Sequence, residues 1–378
     1  MAGLKQQDAE LRLPSIKGAL RFWWRALQYA KLNGDIKRLH QEEAKLFGST
    51  ERQSSVRMSL SDVHVERTRK FGELHDQLAK SPGARYLGYG VVHAFDSSKS
   101  GVKMGQLTRA CMEACRFTLN VISRDPLPDD LIRAIKIMGL LGGLGSKARK
   151  GYGSLTLDKL EGADWKRPAD AKQLRTTLSE LLASTASYKA LPKISAFSAH
   201  SRIDRLHDGS DSLGLLDEYG QRMQRYRSWG QSSSGNMVNG SPSEKRFKDD
   251  HDWSKGNAPS PDFHPQRVIF GLPHNYGKKA EEQVAPATKK HDRRASPLFY
   301  HLHDYGNGTY AGLSLILKSQ FLPDDEQINA GRRRVATKAE YDVLTDFLEA
   351  KIQDVPGQDT SVRYFAKREV LWPPETVA

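Results

Sequence analysis

Apolar residues recur at three- and four-residue spacing near the start of the chain: Ile16, Ala19, Leu20, Trp23, Leu27 and Ala30 form one stripe. That period predicts an amphipathic helix reaching about Lys31, with Ser15 as its N-cap. Lys17, Arg21, Trp24, Arg25 and Gln28 repeat on the same period along a second stripe, with Arg12 just upstream. Residues 42–48 predict a short helix closed by Gly48, and 54–65 alternate as a strand with one slip. Ser81-Pro82-Gly83 reads as a turn, and 86–92 as a short extended piece. Residues 116–122 alternate cleanly as a strand, 129–141 repeat as a helix ended by Gly142-Gly143, and 152–157 read as a returning strand.

In the second half, 171–183 predict a helix, 193–200 a strand, 213–227 a helix and 268–273 a strand entering a turn. Residues 297–303 and 310–318 read as a strand pair around Gly306-Asn307-Gly308, and 338–352 as a helix. From 228 to 265, Gly, Ser, Asn, Pro, Asp and Lys dominate, which predicts a flexible insertion too polar to bury its own core. Residues 278–294 predict an exposed basic loop. The seam near Pro192 divides the chain into domains 1–190 and 191–378, and the element mixture is α+β.

Charge narrows the partner. The chain has 378 residues, a net charge of +13, and 38% hydrophobic residues including six Trp and thirteen Tyr. This composition excludes wholesale disorder and favours a polyanion. No run approaches the roughly eighteen apolar residues of a membrane span and no signal-peptide pattern opens the chain, so nucleic acid in the cytoplasm is the expectation. Cys111 and Cys115 lack further ligands at metal spacing and read as two buried, reduced thiols.

The second stripe is the first candidate site. Lys17, Arg21 and Arg25 can neutralise phosphates, Trp24 can stack on a base, and Gly18 permits close backbone approach; Arg12 and Ser15 at the helix start join them as RNA-binding candidates. The second candidate is the stretch 141–154, Leu-Gly-Gly-Leu-Gly-Ser-Lys-Ala-Arg-Lys-Gly-Tyr-Gly-Ser. Its glycines exceed what capping a helix requires, and Gly145, Ser146, Lys147, Arg149 and Lys150 could meet an RNA backbone. The spacing is neither a Walker A loop nor a dinucleotide fingerprint, so ATP and NAD are not expected.

The stretch Leu13-Pro14-Ser15-Ile16-Lys17-Gly18-Ala19-Leu20-Arg21-Phe22-Trp23-Trp24-Arg25 resembles the N-terminal signature of the first-subunit family of type III-B CRISPR effector complexes, the Cmr complexes. The glycine-rich stretch is similar to the loop of the RAMP superfamily to which that family belongs. Arg294-Ala295-Ser296-Pro297-Leu298 resembles an element in the family's second half, which adds Arg294 to the RNA-binding candidates. The resemblance implies two ferredoxin-like (RRM-like) RAMP domains. It further implies a non-catalytic subunit at one end of a Cmr complex, near the 3′ part of the guide RNA. Guide RNA, target RNA and other RAMP subunits are the implied partners, in antiviral defence. That fold opens with a strand, whereas residues 1–12 are polar. The first domain is therefore expected to lack its N-terminal strand, with the gap filled by another segment, a neighbouring subunit or additional N-terminal residues.

Catalysis is not expected. Five histidines precede Asp (His75, His207, His251, His291, His303), but ligand number and context do not assemble a metal centre, and no nucleophile elbow is present. No cofactor and no metal are predicted. A stand-alone RAMP endoribonuclease that processes CRISPR RNA is the alternative.

Overall fold

The computed structural model describes residues 5, 7–230, 242–260, 262–277, 282–288, 291–330, 333–351 and 362–373. Helix α1 spans Leu13–Lys31 and starts three residues earlier than the sequence predicts. Pro14 lies in its first turn, where no amide is needed, and Arg12 is the N-cap without a side-chain bond. Ser15 is therefore not the cap: it sits exposed inside the first turn, its amide bonded to the Arg12 carbonyl at 3.0 Å. Helix α2 (Ile36–Phe47) is capped by Asp35, which accepts from the Arg38 amide, and ends at Gly48.

Strands β1 (Val56–Arg69) and β2 (Cys111–Ser123) form a two-stranded antiparallel ribbon with a register shift between Ser61 and His64. Between them lie the short helices α3 (Asp76–Lys80) and α4 (Pro82–Leu87). The expected turn at 81–83 is thus a helix start, because the fixed φ of Pro82 suits a first turn. No strand forms over 86–92. Helices α5 (Asp129–Leu141) and α6 (Ala171–Leu182) match the predicted periods.

Strand β3 (Arg202–Gly209) opens the second half, later than the expected 193–200, and leads into α7 (Ser212–Arg227). The 228–265 stretch is not structureless where described. Lys248–Ser254 forms helix α8, and Trp229 stacks on His251 with centroids 4.3 Å apart; residues 231–241 and 261 lie outside the described set. Gln266–Phe270 is a 3₁₀ turn rather than a strand. Strands β4 (His274–Asn275) and β5 (Gln283–Pro286) follow, so 278–294 is not wholly loop, and 278–281 and 289–290 are outside the described residues. The hairpin β6 (Leu298–Asp304) and β7 (Tyr310–Ile316) forms as predicted. Then come β8 (Gln327–Ala330), β9 (Arg333–Ala336), α9 (Asp342–Glu349) and β10 (Glu369–Trp372).

The central sheet runs β10-β3-β7-β6, all antiparallel, and a second four-stranded sheet runs β4-β5-β8-β9. Both faces of the central sheet are buried. Phe299, Leu313, Leu315 and Leu371 join a core built with α1, α2, α5 and α6. Leu298, Tyr300 and Ile316 point the other way, into a core with α7 and α9. Because strand side chains alternate between the two covered faces, β6 and β7 are buried at nearly every position. Each core draws on residues from both sides of position 190.

The expected strand at 152–157 does not form. Ser154 Oγ accepts from the Leu302 amide at 3.1 Å and Thr156 Oγ1 from the Asp304 amide at 3.3 Å. Hydroxyls thus satisfy the edge of β6 in place of a backbone ladder, holding this segment a side-chain length away. Among the described residues β2 pairs with β1 alone, so no described segment supplies the strand expected to complete that sheet.

Candidate nucleic-acid interface

The second stripe of α1 is only partly available. Helix α2 folds back over it, and Trp24 is 4% exposed, packed edge-on against Phe47 with centroids 6.0 Å apart. Trp24 is a core residue, not a stacking platform. Gln28 is buried as well. Arg21 Nε and Arg25 Nη1 donate to the same oxygen of Glu43 at 2.5 and 2.6 Å, and that carboxylate is 3% exposed. The pairing halves the positive charge these two arginines present, although each keeps about a third of its side chain exposed. Lys17 is half-buried and Gly18 exposed, with open space where a Cβ would stand. Arg12, 4.0 Å from Glu10, sits at the same end.

The glycine-rich loop is mostly spent on packing. A Cβ at Gly153 would overlap the Leu144 carbonyl, and one at Gly151 would lie 2.7 Å from the Tyr300 ring; both have positive φ. Gly142 packs under the Trp23 indole and Gly143 against Gly153. Gly145 (φ +104°) and Ser146 stay exposed at the tip. Arg149 points inward instead of towards solvent: its guanidinium lies over Phe299 at 4.3 Å and donates to the Ser296 carbonyl at 2.7 Å. Burial, and then the nearby Arg294, push its pKa down to about 10. Arg294 is also structural, donating to Ser319 and Ser195 hydroxyls at 2.9 and 3.3 Å. Of the predicted loop cations, only Lys147 and Lys150 reach an open surface.

They reach it together. Both line a cavity of about 940 Å³ whose walls come from distant parts of the chain. The α4 region contributes Arg85, Tyr86, Tyr89 and Phe95; the end of α7 contributes Met223, Gln224 and Arg227, followed by Trp229. The far wall holds His251 and Lys255 of the α8 region, then Arg267, His274 and Tyr276. Among the described residues, six cations line this cavity and no Asp or Glu does. Arg267 is paired with Asp250 at 3.1 Å. Arg85 is anchored on the carbonyls of Leu78 and Ala79. Lys147, Lys150, Lys255 and Arg227 have no ion-pair partner among the described residues, and Lys150 Nζ has only Met223 Sδ at 3.9 Å. Burial, together with Arg227, Lys147 and Arg149, pushes the Lys150 pKa down to about 7. Tyr89 and Phe95 are 69% and 51% exposed at the rim.

Sequence reasoning assigned two residues of this cavity, Lys147 and Lys150. The available signal for the others was the density of basic and aromatic residues in Arg225-Tyr226-Arg227-Ser228-Trp229 and around Trp253, inside stretches otherwise polar.

The His-Asp pairs carry structure. His207 bridges Glu218 and the Tyr300 hydroxyl, each at 2.7 Å, and His303 bonds the Pro168 carbonyl at 3.0 Å. Among the described residues no cluster of three or more His, Cys, Asp or Glu could hold a metal ion. Cys111 and Cys115 are free and half-buried, less enclosed than expected. No helix among the described residues is long and apolar enough to cross a membrane.

Comparison with known proteins agrees with the sequence resemblance. Residues 2–156 match the RAMP superfamily, and the chain carries a domain of that superfamily. It is a homologue of the CRISPR system Cmr subunit Cmr1-1 of Pyrococcus furiosus, 22% identical over 85% of this chain and 84% of that protein. Cmr subunit Cmr1-2 of the same organism is 28% identical over 42% of this chain and 89% of its own length. The crystal structure of apo Cmr1 from Pyrococcus furiosus superposes with a TM-score of 0.55 at 16% identity, covering 96% of this chain and 91% of that one, and so shares its α+β fold.

Proposed function

We propose that this chain is a non-catalytic RNA-binding subunit of a type III-B Cmr effector complex. It holds the 3′ part of the guide RNA, target RNA or both at one end of the assembly, in the cytoplasm, beside other RAMP subunits. The strand order of the central sheet, fourth-first-third-second for β10, β3, β7 and β6, is that of a ferredoxin-like unit, and we read the second half as one. The first half we read as a second such unit reduced to the β1–β2 ribbon with α1 and α5.

The observation that carries the RNA reading is the cation-lined cavity with Lys147 and Lys150 in its wall and no carboxylate among its described lining residues. Uncompensated cations held side by side are unfavourable in the free protein, and a polyanion relieves that repulsion. The exposed start of α1, with Arg12, Lys17 and Gly18, offers a second stretch of surface for the backbone.

Labelled single-stranded RNA titrated with the full chain at several salt concentrations tests the proposal. Affinity should fall with salt, and Lys147→Ala with Lys150→Ala should flatten the slope by about one unit per lost phosphate contact. Salt-independent or absent binding would overturn it. Cleavage of repeat RNA in the same incubation without metal would favour a stand-alone endoribonuclease.

A further inference from the structure

We infer that the cavity between α4 and the end of α7 is a pocket for one or two unstacked nucleotides of a single strand, gripped by phosphate and base together. This rests on the RNA reading above and adds what the cavity selects.

Three observations point to it. The first is size: about 940 Å³ lies at the upper end of small-ligand sites, a volume on the scale of one or two nucleotides and not of a base-paired helix. The second is the charge arrangement. Lys147, Lys150 and Arg227 line it with no carboxylate among the described lining residues. The Arg227 guanidinium is aimed by the Tyr86 hydroxyl at 2.7 Å and by His274 Nδ1 at 3.3 Å, so its direction is fixed before any ligand arrives. A phosphate group fits such a pre-set cluster better than a diffuse surface does.

The third observation concerns what a flat backbone track would not need. Tyr89 and Phe95 stand exposed at the rim, and Trp229 lies inside on His251 at an interplanar angle of 13°. Aromatic faces beside cations accept an unstacked base without regard to sequence. Gln224, 9% exposed, leaves its buried Oε1 without a hydrogen-bond partner while lining the same cavity.

The test compares a labelled ten-nucleotide RNA as a single strand and as a blunt duplex, using the full chain. The single strand should bind at least tenfold more tightly. Tyr89→Ala with Phe95→Ala removes exposed side chains and leaves the folded core untouched, and should weaken single-strand binding at least fivefold while leaving duplex binding within twofold. Trp229→Ala should do the same, and a thermal melt of each variant separates loss of binding from loss of fold. Equal affinity for the two forms, or aromatic variants that bind the single strand like the parent, would overturn the pocket while leaving the RNA reading intact. No binding of either form by the parent chain would overturn both.

Discussion

The guanidinium of Arg149 lies 4.3 Å above the ring of Phe299, and the same group is 5.4 Å from Phe22 of α1. One residue of the glycine-rich loop thereby joins the signature helix to the central sheet. A desolvated cation over an aromatic face is worth about 2 kcal/mol. Arg149→Ala should therefore lower unfolding free energy by about 2 kcal/mol in denaturant titration. RNA affinity of the protein that remains folded should change by less than twofold. A selective loss of RNA binding at unchanged stability would return Arg149 to the interface.

Glu43 ties α2 to α1 through two arginines. Removing a buried carboxylate strands both guanidinium groups, but each is about a third exposed and water screens part of the loss. Glu43→Ala is expected to cost about 2 kcal/mol, and Glu43→Gln less, since the amide oxygen still accepts. Urea midpoints of the two variants check the order.

Lys150 gives the cavity a pH dependence. Its pKa near 7 makes it neutral above that pH and charged below, and a bound phosphate favours the charged form. Burial also holds His251 and His274 below the usual histidine range. RNA affinity should accordingly rise as pH falls from 8 to 6.5, and Lys150→Met should flatten that profile. The sign for stability is opposite: the folded state disfavours the charged lysine, so the free chain gains stability as pH rises from about 7 towards the ordinary lysine range.

His301 is 2% exposed, and among the described residues its ring nitrogens make no well-formed hydrogen bond, the Gly142 backbone being its weak polar neighbour. Burial and then His303 push its pKa down to about 3. Protonation favours the unfolded chain, so this site withdraws stability as pH drops below about 6.5, continuing to about 3. His301→Leu should raise the melting temperature by a few degrees at pH 7 and by more at pH 5, read by calorimetry.

What the sequence made legible was local. The periods of α1 and α5, the ribbon strands and the β6–β7 hairpin follow from spacing within one segment. Trp24 was misassigned because its cover, α2, is recruited through Glu43, eighteen or more positions away, and nothing in the α1 period encodes that contact. The failed strand at 152–157 has strand-like spacing, but its hydroxyls bond the β6 edge and displace its backbone. Residues 193–200 have strand composition without a partner in register. The cavity was least legible of all, since Arg85, Lys150, Arg227 and Tyr276 are neighbours only after folding.

Gly83 of α4 presses against α7 so closely that a Cβ there would overlap the Asp217 carbonyl, and Asp217 Oδ1 accepts from the Gly83 and Ala84 amides at 2.7 and 3.1 Å. This crossing joins residues before position 190 to residues after it, and the same two helices contribute Arg85, Met223 and Arg227 to the cavity lining. The cavity therefore exists only while α4 and α7 stay packed together. By mass action, whatever fills it opposes their separation: at one hundred times its dissociation constant, an occupant adds about 2.7 kcal/mol to the docked state. Occupancy and architecture are thus coupled, and an RNA-loaded chain should resist proteolysis between its halves as well as melting.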